Sequence, residues 1–314
     1  MPNYSGVWDL RQQGVAVQGG LWPGGGIALV AGDNPIAATI DYINMSSSAN
    51  ATDFGDLLAA ANFFGALGSS TRAVFAGGQI ASGKQDVIQY STFASTGTVS
   101  DFGNLSTTAG SSSGSSSSTR GIINLGETTS YSEVIDQIQI ASLGNATDFG
   151  NLTVARYSPS GASASPTRAT LSGGYTGSKS DVIDYITIAS AANATDFGNL
   201  LIAEIYVGAC SSSIRGLVAG GDHSSGTTTN VIQYFTIASA GNSSDFGDLS
   251  QKRKNFASFS NNTYGFWAGG DPNGTIVTLI DKVTISSTGN ATEYADLLVA
   301  RENCSGCSNS HGGL

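Results

Sequence analysis

Cys304-Ser305-Gly306-Cys307 has the spacing of a metal-binding or redox pair, with His311 close behind it. A zinc site needs four ligands, and no second Cys pair or His pair supplies the rest. A redox pair of the thioredoxin kind needs a βαβ setting, which the flanking sequence lacks. Together with Cys210, these thiols are read as structural. His223 and His311 are the only imidazoles, too few for a copper or zinc centre built on histidine. Asp-Phe-Gly begins at Asp53, Asp101, Asp148, Asp196 and Asp245, but without the lysine strand and catalytic loop of a phosphoryl-transfer site. Most other carboxylates recur at fixed intervals, so none stands out as a glycosidase dyad. Asn-Ala-Thr at Asn50, Asn145, Asn193 and Asn290 has the form of a glycosylation acceptor and is read as turn chemistry. The expectation is a non-enzymatic protein with no catalytic residues, no metal and no cofactor.

Taken as a set, these motifs define the elements that carry them. Asp-Phe-Gly-(Asp/Asn)-Leu returns at spacings of 48, 47, 48 and 49 residues, and Glu293-Tyr294-Ala295-Asp296-Leu297 is a degraded sixth copy 48 residues further on. The fourth unit shows the parts in order. Arg168 to Gly174 is a short apolar strand ending in a double glycine, and Tyr175 to Ser180 is a polar loop. Asp181 to Ala189 alternates and is rich in β-branched and aromatic residues, a strand signal. Thr195 to Leu200 is a third strand, and Leu201 to Ser213 holds a fourth. No stretch keeps a helical period. Four short strands in a unit of this length match a propeller blade. The fold predicted is all-β: a six-bladed β-propeller of four-stranded antiparallel blades. The motif's Phe is expected to wedge between blades and its Asp to cap a turn. The Arg that opens the apolar strand (Arg72, Arg120, Arg168, Arg215) is expected to be a scaffold hydrogen-bond donor.

Composition agrees with one large core. Hydrophobic residues make up 40% of the 314, which argues against disorder, while 42 glycines and only 11% charged residues point to Gly, Ser, Thr and Asn in repeated turns. A net charge of −10 argues against nucleic acid as a partner, since phosphate binding needs clustered bases. The one basic cluster, Lys252-Arg253-Lys254, is read as a solvated loop. No basic start with an apolar run marks a secretory signal, and no run of about 18 apolar residues predicts a membrane span.

The ends fall outside or complete the pattern. Residues 1–22 form an arm with Tyr4, Trp8, Leu10 and Trp22, expected to anchor the protein or dock it onto another. Residues 23–314 form the propeller. The first unit lacks an inner strand, and residues 300–312 are expected to supply it, closing the ring. Cys307 then matches Cys210. The loops after the double glycines differ from unit to unit on a constant frame, as a recognition surface does. They bring Lys84, Tyr131, Tyr175, Lys179, Asp222, His223 and Asp271 to one face as candidate binding residues.

The double glycines, the alternating strand and the following Arg resemble kelch-type propeller repeats, although of the kelch aromatics only the Tyr recurs (Tyr90, Tyr185, Tyr234). The segments Asp181 to Leu200 and Gly144 to Arg156 resemble repeats in structural and tail-associated proteins of tailed, especially marine, bacteriophages. Tyr4-Ser5-Gly6-Val7-Trp8-Asp9-Leu10 with Gln12-Gln13 resembles the start of phage tail proteins. The resemblance implies a virion structural protein, a tail, fibre or appendage component, made in the host cytoplasm without a signal peptide. Its arm would bind other virion proteins, and its loop face would meet a host-surface glycan or protein. The alternative is a capsid decoration or connector piece with no receptor role, and a carbohydrate-active enzyme comes last. Self-association is left open.

Overall fold

A computed structural model describes residues 26–157, 163–223 and 226–314. The expected anchoring residues Tyr4, Trp8, Leu10 and Trp22 lie outside the described residues. Six antiparallel sheets form a ring, an all-β six-bladed propeller. Among the described residues there is no helix, hence none long and apolar enough to cross a membrane. Each blade has an inner, second, third and outer strand. In the fifth blade these are Gly208–Ser211, Arg215–Ala219, Val231–Thr236 and Ser244–Asp248. The inner strand begins on the face that carries the double-glycine loops, which we call the loop face.

The C-terminus closes the ring. Ser305–Ser308 pairs antiparallel with Ile27–Ala31, with Leu29 opposite Cys307, and so becomes the inner strand of the first blade. The strand is shorter than the expected 300–312. Asn309 N still donates to Ile27 O, and residues 310–314 turn away beneath the ring, where Gly312 N donates to Ser211 O at 3.2 Å and His311 Nε2 meets Gly68 O at 2.8 Å.

The repeated motifs are blade-to-blade fasteners. Phe54, Phe102, Phe149, Phe197 and Phe246 are each 2% exposed and pack on the third strand and following turn of the next blade. The motif's glycine lets two backbones touch. At Gly198 φ is +145°, and a Cβ there would lie 2.5 Å from Gly241 O in the next blade's turn. In that turn Gly241 N donates to Phe197 O at 2.7 Å. The Asn of Asn-Ala-Thr does the same work from its side chain: Asn145, Asn193 and Asn290 Oδ1 accept from Asn104 N, Asn151 N and Asp248 N of the preceding blade. The opening Arg is a donor across the same seam, as expected. Arg72, Arg120, Arg168 and Arg215 Nη1 donate to Ile140, Ile188, Ile237 and Ile285 carbonyls, while Arg72, Arg168 and Arg215 lie over Tyr90, Tyr185 and Tyr234.

A second, buried fastener varies from seam to seam. One third-strand residue in each blade (Asp41, Gln89, Asp136, Asp184, Gln233, Asp281) accepts a backbone N–H from the preceding blade. At three seams an Arg from that blade joins it: Arg301–Asp41 at 2.7 Å, Arg156–Asp184 at 3.1 Å and Arg253–Asp281 at 2.8 Å, all fully buried. Arg253 is therefore not part of a solvated basic loop; it is an interior ion pair. At the seam of the fourth and fifth blades the Arg position holds Glu204, and Gln233 replaces the Asp, with Gln233 Nε2 donating to Glu204 Oε2 at 3.1 Å. At the seam of the second and third blades the Arg position is Ala109, and Asp136 stands without a cation, its Oδ1 unpartnered among the described residues.

Candidate binding site

The loop face is built from glycine turns. Gly77, Gly173, Gly220 and Gly269 end their second strands at φ between +58° and +74°, against the linker that feeds the next inner strand. This sets the loops after the second strand beside the linkers of adjacent blades. Backbone pairs such as Tyr157–Tyr175 and Lys254–Asp271 fix that register.

Over the third to fifth blades the arrangement opens a groove of about 470 Å³ lined by Glu127, Tyr131, Tyr157, Tyr175, Lys179, Ile205, Tyr206 and Asp222. Four tyrosines make its walls. Tyr131 stacks on Tyr157 with centroids 6.2 Å apart and meets Tyr175 edge-on at 5.8 Å. Tyr157 meets Tyr206 edge-on at 6.0 Å, and their hydroxyls are hydrogen-bonded to each other. Burial, helped by that bond, pushes the Tyr157 phenol upward, so it stays a neutral donor and acceptor. Tyr131 remains 42% exposed, a large aromatic surface facing solvent.

Charged pairs edge the tyrosines. Lys84 bonds Glu127 at 2.8 Å on one side. On the other, Lys179 and Lys254 share Asp222 at 3.2 and 3.8 Å, and Lys179 Nζ also donates to the His223 carbonyl. Beneath this edge lies Glu204, fully buried, whose burial raises its pKa to about 7. Thr229 Oγ1 donates to it at 2.7 Å.

Of the residues expected from the sequence, Tyr131, Tyr175, Lys179 and Asp222 converge in the groove. Lys84 and the His223 backbone stand at its edges. Asp271 lies beyond Lys254 and accepts from Thr275 N at 3.1 Å, capping its own loop. Tyr157, Tyr206, Glu127 and Lys254 were not among the expected residues. Tyr157, Tyr206 and Lys254 sit on the linkers, not on the loops after the double glycines. Aligning the six units places Tyr157 where other linkers carry Asn62, Gly110, Ile205, Lys254 or Glu302, and Tyr206 where they carry Phe63, Ser111, Asn255 or Asn303; the lone aromatic in the first set is the signal that would have found Tyr157.

The three thiols are buried structural groups, each pushed up to about 12 by desolvation, and none is in a disulfide. Among the described residues no three His, Cys, Asp or Glu side chains cluster as a metal site. No protein-family model matches the chain, and no curated protein matches it significantly.

Proposed function

We propose that this protein is a non-enzymatic recognition propeller whose tyrosine groove binds a glycan. Four tyrosines from three successive blades converging on one open groove carry this reading. Aromatic walls offer flat apolar surface to the C–H faces of a sugar ring, and the polar groups at the edge fix its hydroxyls. Glu127 and Asp222 suit binding because each already accepts from a lysine 2.8 or 3.2 Å away and can share hydroxyl donors with it. The resemblance to phage tail repeats supplies the setting: a virion attachment protein whose arm holds it to the particle and whose loop face meets the host. The groove favours that role over a decoration piece with no receptor. Labelled protein should bind cells carrying the cognate surface polysaccharide, and Tyr131→Ala with Tyr175→Ala should lower retention at least about tenfold at unchanged melting temperature. Undiminished retention by the double variant, or shortening of the polysaccharide by the protein, would overturn the reading.

A further inference from the structure

The inner strands surround a central channel of about 140 Å³, and the C-terminal tail crosses its end opposite the loop face, where Gly68, Ser116 and Ser211 end their strands. Residues 310–314 reach from the closing strand of the first blade to four others. His311 Nε2 lies 2.8 Å from Gly68 O in the second blade and 3.2 Å from Ser116 Oγ in the third. Gly312 N donates to Ser211 O in the fifth blade at 3.2 Å. A Cβ at Gly312 would lie 2.6 Å from Ala164 O of the fourth blade, and one at Gly313 would lie 1.9 Å from Ser116 O. The tail is thus pressed across the inner strands and ties the ring's closing strand to the rest of the ring. His311, which the sequence sets just behind Cys304 and Cys307, is its central fastener.

The imidazole can hold that position only while neutral. Gly313 N–H donates to Nδ1 at 3.1 Å, so Nδ1 must keep its lone pair. Gly68 O is an acceptor, so Nε2 must carry the proton. A second proton, at Nδ1, would set two donors face to face and strand the buried Gly313 amide. The surroundings offer an imidazolium no compensation. The inner strands and turns packed on the tail, residues 65–69, 113–117, 163–165 and 208–213, hold no Asp, Glu, Lys or Arg. Their titratable side chain is Cys210, which lines the channel with Cys304 and Cys307 as neutral thiols. Arg72 and Arg120, which follow two of these turns, are committed to the Ile140 and Ile188 carbonyls. Among the described residues no carboxylate pairs with His311, that of Leu314 included. Desolvation accordingly pushes the imidazole below its ordinary pKa, against the opposing effect of the Gly68 carbonyl.

We propose that the C-terminal tail is an acid-released strap: neutral His311 holds it across the channel, and protonation lets it go. A base whose folded pKa is depressed adds stability that is complete above its ordinary value and is lost as pH falls below it. The strapped state should therefore lose up to about tenfold in population for each pH unit below 6.5, until the depressed pKa is reached. Release opens the channel on the face opposite the groove and leaves the first-blade pairing of Ser305–Ser308 and Asn309 to close the ring. Hydrogen exchange on the full chain, read at Gly312 and Gly313 by NMR and corrected for its intrinsic pH dependence, tests it. Between pH 8 and pH 5 their protection should fall at least about tenfold, while Val218 inside the fifth blade keeps its own. The fall should track the titration of the His311 imidazole in the same samples. In His311→Gln the side-chain nitrogen can donate to Gly68 O and the oxygen accept from Gly313 N without titrating, so protection should hold at pH 5. Parent protection that does not change with pH, or is lost at a midpoint apart from the His311 titration, would overturn the proposal, as would equal loss in His311→Gln. The parent titration uses the unaltered protein and decides the matter even if the variant holds its tail at no pH.

Discussion

Replacing Glu204 by Gln should stabilise the protein at alkaline pH and flatten its pH dependence. Glu204 is fully buried between the fourth and fifth blades, and desolvation raises its pKa from an ordinary 4.5 to about 7, against the opposing effect of Thr229, Gln233 and Lys179. A group whose folded pKa is raised adds stability that is complete below the unfolded value and is lost as pH climbs through the folded one. For Glu204 that window runs from about 4.5 to about 7. At about 1.4 kcal/mol for each pH unit between the two values, the full loss is about 3 kcal/mol by pH 8. Gln carries the uncharged form permanently. Its amide nitrogen can donate to Thr229 Oγ1 where Thr229 now donates at 2.7 Å, and its carbonyl can still accept from Gln233 Nε2, now at 3.1 Å. Urea unfolding between pH 5 and pH 8 is the assay. E204Q should match the parent near pH 5 and exceed it at pH 8 by up to about 3 kcal/mol, or about 5 °C in melting temperature for a chain this long. Equal slopes with pH in the two proteins would refute the reasoning, as would a variant less stable than its parent at pH 8.

Other seams give companion outcomes. Burial pushes the Asp136 carboxyl upward, with Ser106 N at 2.8 Å as its backbone donor, so Asp136→Asn should raise stability at neutral pH by about 1–2 kcal/mol in urea. Arg301→Met strands Asp41 without its cation and should cost about 3–5 kcal/mol, most of which a second change, Asp41→Leu, should restore. Gly198→Ala drives a Cβ to 2.5 Å from Gly241 O at φ +145° and should lower stability by about 2–3 kcal/mol in the same assay. A chain ending at residue 299 lacks Ser305–Ser308, leaves Ile27–Ala31 as an open edge, and should give no cooperative melt.

Regular spacing made the scaffold readable. Asp-Phe-Gly in five blades and its degraded copy in the sixth placed the ring because one physical problem, seating a sheet on its neighbour, is solved with nearly the same residues: Phe as wedge and Gly for backbone approach in five blades, Arg as donor in four. What regularity hid was the part played by single residues within it. The motif's Asp was expected to cap a turn, yet the contacts that join blades come from its Phe carbonyl, its Gly and the Asn of the next turn. The buried ion pairs were illegible because each joins an Arg at the end of one unit to an Asp in the middle of the next, a separation no local pattern displays. The groove was half readable. Its loop tyrosines stood out, whereas Tyr157 and Tyr206 looked like linker residues until the blades brought the linkers beside the loops.

The basic residues show where scaffold ends and site begins. Each described Arg is engaged by the ring: Arg72, Arg120, Arg168 and Arg215 donate across a seam, and Arg156, Arg253 and Arg301 are buried in ion pairs. Guanidinium suits that work, since its fixed fork can meet three carbonyls and a carboxylate at once, as Arg253 does. Of the lysines, Lys282 lies over Tyr264 and Tyr294 within the sixth blade, while three others stand elsewhere. Lys84, Lys179 and Lys254 lie on the loop face, at positions that adjacent blades fill with other residues, and all three surround the tyrosines. A flexible ammonium adds little to a rigid seam, but it can leave one partner for another as a ligand arrives. The non-repeating residues therefore gather where ring closure places no demand on them, and in the groove they meet around an open space.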